Sequence, residues 1–246
     1  MTSRDTRAPE IARHELGHSF ALLAAEYQTP FPAYPGCSDL SGHSLCEANV
    51  TDLVERAALK WSPWILPETP IPTPAADPAF AAIVGLFEGA RYLDTGMYRP
   101  RQTCLMRQLN RPFCEVCREA FVERLYRGGW GAPAAGIDLI DPGTESPPPG
   151  PVTVAAGETL YLEAGLLVPA TDPALAISWR VDGEPLPHTG DGRLAWTPPR
   201  PGIYRIELEV RDTTAFIHPA HAADLVSRRA WELSVPAQRP PRRHLH

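Results

Sequence analysis

The hydrophobic pattern of this chain changes period near its middle. Over residues 10–27, EIARHELGHSFALLAAEY, the apolar residues Ile11, Leu16, Phe20 and Leu23 recur at helical spacing and predict one helix. A second helix is predicted over FAAIVGLFEGARYL (80–93) and a third over PFCEVCREAFVERLYRGG (112–129), closed by its glycines. The stretch between the first two is rich in Pro and Gly and reads as loops. Beyond residue 151 the pattern alternates with period two in ETLYLEAGLLV, AISWRVDG, RLAWTPP, GIYRIELEVRD and RRAWELSV, each bounded by turn residues. Such short alternating runs predict a β-sandwich of about seven strands.

The break between the two patterns is DPGTESPPPGP (141–151), which has no periodicity and reads as a linker. The expected organisation is therefore a first domain over 1–140, a linker over 141–151, a sandwich over 152–236 and a disordered tail over 237–246. Trp179 and Tyr204 stand where immunoglobulin-like sandwiches place core aromatics. The sandwich half carries no cysteine and no catalytic cluster; His188, His218 and His221 are scattered and read as surface or structural residues.

Composition narrows the classes of partner. A formal charge of −6 argues against nucleic acid as the main partner, because phosphate binding needs clustered Lys and Arg. The basic end, RPPRRHLH, reads as part of the tail. No apolar run is long enough to span a bilayer, and MTSRDTRAPE has no signal core. The 29 prolines point to long ordered loops. The five cysteines, Cys37, Cys46, Cys104, Cys114 and Cys117, all lie in the first half, and an odd count leaves one outside any internal pairing. A Cys37–Cys46 bridge closing a short loop and a bridge from Cys104 to Cys114 or Cys117 are one reading, suited to an exported protein. Metal or redox use of CEVC is the other, weaker for want of a second Cys-x-x-Cys pair.

The chemistry is concentrated in HELGH (14–18). Helical positions i and i+4 lie about 40° apart, so His14 and His18 can aim imidazole nitrogens at one ion. Glu15, about 100° round from His14, reaches a metal-activated water without ligating the ion, and can act as general base. Gly17 supplies a small residue where a bulky one would crowd the site. The pentapeptide alone also occurs in ordinary helices; its weight comes from the amphipathic helix around it and from the residues C-terminal to it.

The run HELGHSFALLAAEY resembles the zinc helix of the bacterial IgA peptidase family of metallopeptidases, whose usual form is close to HEFGHSFxGLADEY. The likeness continues in order through EANVT (47–51), LKWSPWI (59–65), TPIPTP (69–74), VGLFEGARY (84–92), GMYRPRQTCLM (96–106) and FCEVC (113–117), covering roughly residues 11–125. The resemblance implies an α+β protein: a helical, loop-rich metzincin-like zinc-peptidase domain, followed by an immunoglobulin-like β-sandwich as accessory module. It implies a Zn2+-dependent endopeptidase acting on protein or peptide substrates, secreted, with His14 and His18 as ligands, Glu15 as base and Met106 in a Met-turn beneath the metal. The third ligand is expected just past His18. Where relatives carry Asp-Glu this chain has Ala25 and Glu26, leaving Glu26 as the expected ligand, and Leu22 replaces a glycine that helps the chain turn. Glu88 is a more remote candidate, read rather as a buried residue bracing its loop, and Arg99 or Arg101 is expected near the oxyanion. The family places a twisted sheet before the zinc helix, which implies here a fragment of a longer gene product. The alternative is a degenerate peptidase fold that works as a binding or adhesion module through its sandwich.

Overall fold

The computed structural model of the chain describes residues 6–32, 34–40, 45–127, 136–168 and 175–237. They form a mixed α+β structure, mostly sheet with two α-helices, divided into two compact units. The first comprises residues 1–136 and 215–222; the second, 137–214 and 223–246.

In the first unit, α1 spans Ala8–Ser19, opened by Pro9 in its first turn with acidic Glu10 beside it. The helix is shorter than its apolar spacing predicts. Phe20 closes it with an N–H bond to the Leu16 carbonyl, and Leu22 then takes a left-handed conformation, φ 52°. That turn sends the Leu23 amide back to the Gly17 carbonyl at 3.0 Å and frees the chain to run on extended. The carbonyls of Ala25 and Tyr27 accept from the amides of Arg91 and Tyr92, whereas the Glu26 amide donates to the Met106 carbonyl. Bonds to opposite sides from successive residues are the signature of extended backbone, in which side chains also alternate.

The helix predicted over 80–93 is a hairpin instead. Strands β1 (Phe87–Ala90) and β2 (Leu93–Arg99) pair antiparallel. Two observations explain the difference. Gly89, Arg91 and Tyr92 all adopt positive φ, which no helix accommodates. Gly85 lies so close to Thr73 that a Cβ there would meet its hydroxyl oxygen at 2.4 Å. Helix α2 spans Glu115–Arg127, and the glycines expected to close it lie outside the described residues. The core of this unit gathers Leu23, Trp61, Leu86, Met106 and the three cysteines Cys104, Cys114 and Cys117. Cys37 and Cys46 are joined in a disulfide, as one reading of the sequence expects.

Segment 215–222 belongs to this unit through Glu119 of α2. One carboxylate oxygen accepts from the His218 amide at 2.8 Å and from His221 Nδ1 at 3.0 Å; the other accepts from Trp64 Nε1 at 2.6 Å. His218 and His221 are thus structural.

The second unit holds a five-stranded sheet in the order β3-β9-β8-β5-β6 and a two-stranded sheet, β4-β7. The strands are β3 (Gly150–Thr153), β4 (Leu160–Glu163), β5 (Ala176–Val181), β6 (Glu184–Pro185), β7 (Arg193–Trp196), β8 (Gly202–Arg211) and β9 (Val226–Val235). All pairs are antiparallel except β3 with β9. Alternate residues are buried along β4 and β8, the pattern of sheets with one face in a core. Trp179 and Trp231 stack at 5.6 Å, and the Tyr204 hydroxyl donates to the Arg200 carbonyl. Residues 141–151 are not a spacer. The Asp141 amide bonds the Gly165 carbonyl, Ser146 pairs with Glu163, and Gly150 and Pro151 already belong to β3. Of the expected tail, residues 238–246 lie outside the described residues.

Candidate metal centre

Helix α1 brings His14 and His18 together with their Nε2 atoms 3.1 Å apart. Each ring is fixed from behind by a backbone carbonyl. His14 Nδ1 bonds the Leu105 oxygen at 2.9 Å, and His18 Nδ1 bonds the Leu23 oxygen at 2.7 Å. A carbonyl only accepts, so both Nδ1 atoms donate, and this turns the two Nε2 atoms toward one another. Two Nε2 atoms at that separation can share a proton or ligate one ion, and carbonyl-anchored imidazoles are the usual outer support of metal-ligating histidines. The donor set therefore fits a divalent metal.

The surroundings follow from the turn at Leu22 and the loop before α2. Tyr27 lies nearly parallel to the His14 ring, centroids 6.3 Å apart. With Ile11, His14, Glu15, Leu105 and Arg107 it lines a pocket of about 210 Å³. Burial, then the hydrogen bond shared with the Tyr92 hydroxyl, raises the Tyr27 phenol above its ordinary range, so it stays a hydrogen-bond donor. Tyr27 and the Leu105 carbonyl were not singled out by sequence reasoning, although both lie within quoted motif runs. Met106 is fully buried against Gly17, where a Cβ would meet its sulfur at 2.5 Å. The small residue of HELGH is thus needed for Met106, which packs against the helix at Gly17.

Glu26 is not brought to the histidines. It is fully buried, with Oε1 accepting from Asn49 Nδ2 at 2.9 Å and lying 3.4 Å from the Cys117 sulfur. Among the described residues, no His, Cys, Asp or Glu joins His14 and His18 as a third donor. The cause is the alternation of the extended segment. Asn49 holds the backbone of Ala24 and the Glu26 carboxylate, and alternation turns the neighbours of Glu26, Ala25 and Tyr27, to the other side, where Tyr27 meets His14. Ala25, next to Tyr27 and Glu26, has no donor atom. Burial, then the neighbouring Cys104, holds the Glu26 carboxyl well above the usual carboxylate range against the opposing effects of Asn49, Cys117 and Arg99.

The remaining candidates are engaged elsewhere. Glu88 is exposed and accepts from the Gly96 amide, bracing the hairpin without the expected burial. Arg99 is buried and donates to the Glu88 and Gly89 carbonyls, and Arg101 pairs with Glu115 at 3.5 Å. Neither points to an oxyanion role. No helix among the described residues is long and apolar enough to cross a membrane.

The family model described as IgA Peptidase M64 matches residues 1–83 and 75–125, half of the chain, and the chain belongs to that family of metallopeptidases. No curated protein matches the chain. Among solved structures it is similar to a quinonprotein alcohol dehydrogenase-like protein from Bacteroides thetaiotaomicron (16% identity, 40% of this chain and 20% of that one, TM-score 0.29). It is also similar to the fibronectin(III)-like modules of Clostridium thermocellum CbhA (17%, 39% and 98%, TM-score 0.27). A third likeness is to the N-terminal immunoglobulin domains of Dscam1 (19%, 37% and 20%, TM-score 0.25). The chain spans a fifth of the first of these proteins.

Proposed function

We propose that this chain is a zinc-dependent endopeptidase of metzincin type acting on protein or peptide substrates. The observation that carries the reading is the pair of carbonyl-anchored imidazoles with Nε2 atoms 3.1 Å apart. His14 and His18 hold the ion, and Met106 forms the apolar floor of a Met-turn. Bound zinc supplies Lewis-acid activation of water and of the scissile carbonyl. Glu15, on the pocket wall, takes the proton from the attacking water and passes it to the departing amine. The Tyr27 phenol donates to the oxygen that gains charge in the tetrahedral state. Ala25 has no donor atom, so His14 and His18 would be the two protein ligands. The Cys37–Cys46 disulfide supports secretion to an oxidising compartment.

The alanine at 25 favours a second reading, in which the peptidase fold is catalytically degenerate and the chain binds its target through the sandwich. The zinc per chain lost in a His14→Ala/His18→Ala variant, with casein hydrolysis by wild type and Glu15→Ala, separates the two. The enzyme reading requires histidine-dependent zinc and cleavage abolished by Glu15→Ala with that zinc retained. Histidine-dependent zinc with no Glu15-dependent cleavage leaves the binding module, and zinc content unchanged by the histidine substitutions refutes the site.

A further inference from the structure

We propose that Glu26, Cys104, Cys114 and Cys117 form a second, structural metal site for a tetrahedral thiophilic divalent cation of the zinc class. The four side chains come from three segments: the extended run after α1, the loop before Met106, and the start of α2. All four are buried, and their ligand atoms lie within 4.8 Å of one another. The Cys104 and Cys117 sulfurs are 3.5 Å apart, and Cys117 Sγ is 3.4 Å from Glu26 Oε1. Sulfurs bound to one tetrahedral zinc, each at about 2.3 Å, stand about 3.8 Å apart, so the cluster needs only small adjustment to close on an ion.

Three details favour an ion over four protonated acids. First, Glu26 Oε2 is fully buried and has no hydrogen-bond partner, while Oε1 is fixed by Asn49. Such an orphan demands an explanation, and an unseen ion is one of the few available. Second, the Cys114 amide donates to the Cys104 sulfur at 3.3 Å, the kind of outer support that thiolate ligands receive. Third, three thiols cannot pair among themselves, so any disulfide leaves one thiol and the Glu26 carboxyl stranded in the core. The other acidic grouping, Asp39, Cys46 and Asp52, is no rival because Cys46 is consumed in the disulfide. The Cys-x-x-Cys pair thus finds its missing partners in Cys104 and in the glutamate that the family resemblance assigned to the histidine site. Binding releases the thiol and carboxyl protons and ties the loop bearing Leu105 and Met106 to the extended run after α1 and to the start of α2.

The test uses the full chain, reduced, chelator-stripped and titrated with Co(II). A His14→Ala/His18→Ala variant removes the other site and leaves the cysteines. The proposal expects thiolate-to-cobalt charge-transfer absorption in the near ultraviolet from this variant at one cobalt per chain, displaced by Zn(II). It expects Glu26→Gln, which keeps the Asn49 contact, to retain the band but bind cobalt at least about tenfold more weakly. Absence of the band at saturating cobalt overturns it. So does a disulfide joining Cys104 to Cys114 or Cys117, found by mass spectrometry of the alkylated, unreduced protein. Because the histidines are gone, failure here leaves the peptidase reading standing.

Discussion

Gly17→Ala tests whether Met106 sets the position of the histidine pair. An added Cβ meets the Met106 sulfur at 2.5 Å, its terminal methyl at 3.3 Å and Phe113 at 3.3 Å. Ordinary contact needs about 3.5–4.0 Å, so the sulfur must retreat by about 1 Å. Met106 is fully buried and has no solvent to retreat into. Alanine gains about 1 kcal/mol of helix propensity over glycine, while overpacking a tight core costs about 1–3 kcal/mol. The net expectation is a loss of about 1 kcal/mol, a fall of about 2–4 °C in Tm for a chain of this size. The functional effect is larger. Leu105, whose carbonyl anchors His14, is covalently next to Met106, and losing such an anchor weakens metal affinity about 10–100-fold. Differential scanning calorimetry and zinc titration measure both, with Leu16→Ala, an exposed neighbour on the same helix, as control. A Tm that rises by the helix-propensity gain, with zinc affinity unchanged, would show that Met106 moves freely and refute the reasoning.

Ala25→Asp places a carboxylate on the histidine side of the extended segment. It should lower the Tm of the metal-free chain by burying a charge, then tighten zinc about a hundredfold, worth about 2.7 kcal/mol at fixed free zinc; an unchanged zinc-induced Tm shift argues against the alternation. Glu119→Ala leaves the donors of Trp64, His218 and His221 without their acceptor and should cost about 2–4 kcal/mol, read from the urea midpoint. Asp39 is pushed up by burial but more strongly down by the Thr51 hydroxyl, the Lys60 ammonium and the Cys46 amide, so its folded pKa lies below the ordinary value. Its contribution is therefore complete above about pH 3.9 and lost as pH falls through the folded pKa. Asp39→Asn should flatten the acid limb of stability against pH, and an unaltered limb would count against that assignment.

Much of the architecture was legible from period alone. The sandwich strands and both true helices were written in spacings of two and of three to four residues. The misreadings come from residues whose backbone geometry overrides periodicity. Leu22 looks like one more apolar helix position, yet its left-handed conformation ends the helix run. Apolar residues over 80–93 match helical spacing, but Gly85 and the positive-φ residues 89, 91 and 92 demand a hairpin. DPGTESPPPGP has the composition of a linker, and composition does not reveal that Ser146 finds Glu163 or that Gly150 and Pro151 pair along β9. At the site, HELGH was readable because an i, i+4 pair is local. The carbonyls that orient the rings were not, since Leu105 lies 91 residues from His14.

The assignment of Glu26 turned on a finer point, namely which side of an extended strand a residue occupies. Residues 24 and 26 share the Asn49 side, and residues 25 and 27 share the other. One segment therefore serves two sites of different chemistry, with register deciding which side chain reaches which. Moving a carboxylate by one residue transfers it from the histidines to the cysteines. The two sites are consequently separable. On this reading a donor lost at position 25 weakens the histidine site without touching the cysteine cluster. A chain with Glu26 but not an aspartate at 25 keeps the Leu105 carbonyl that orients His14.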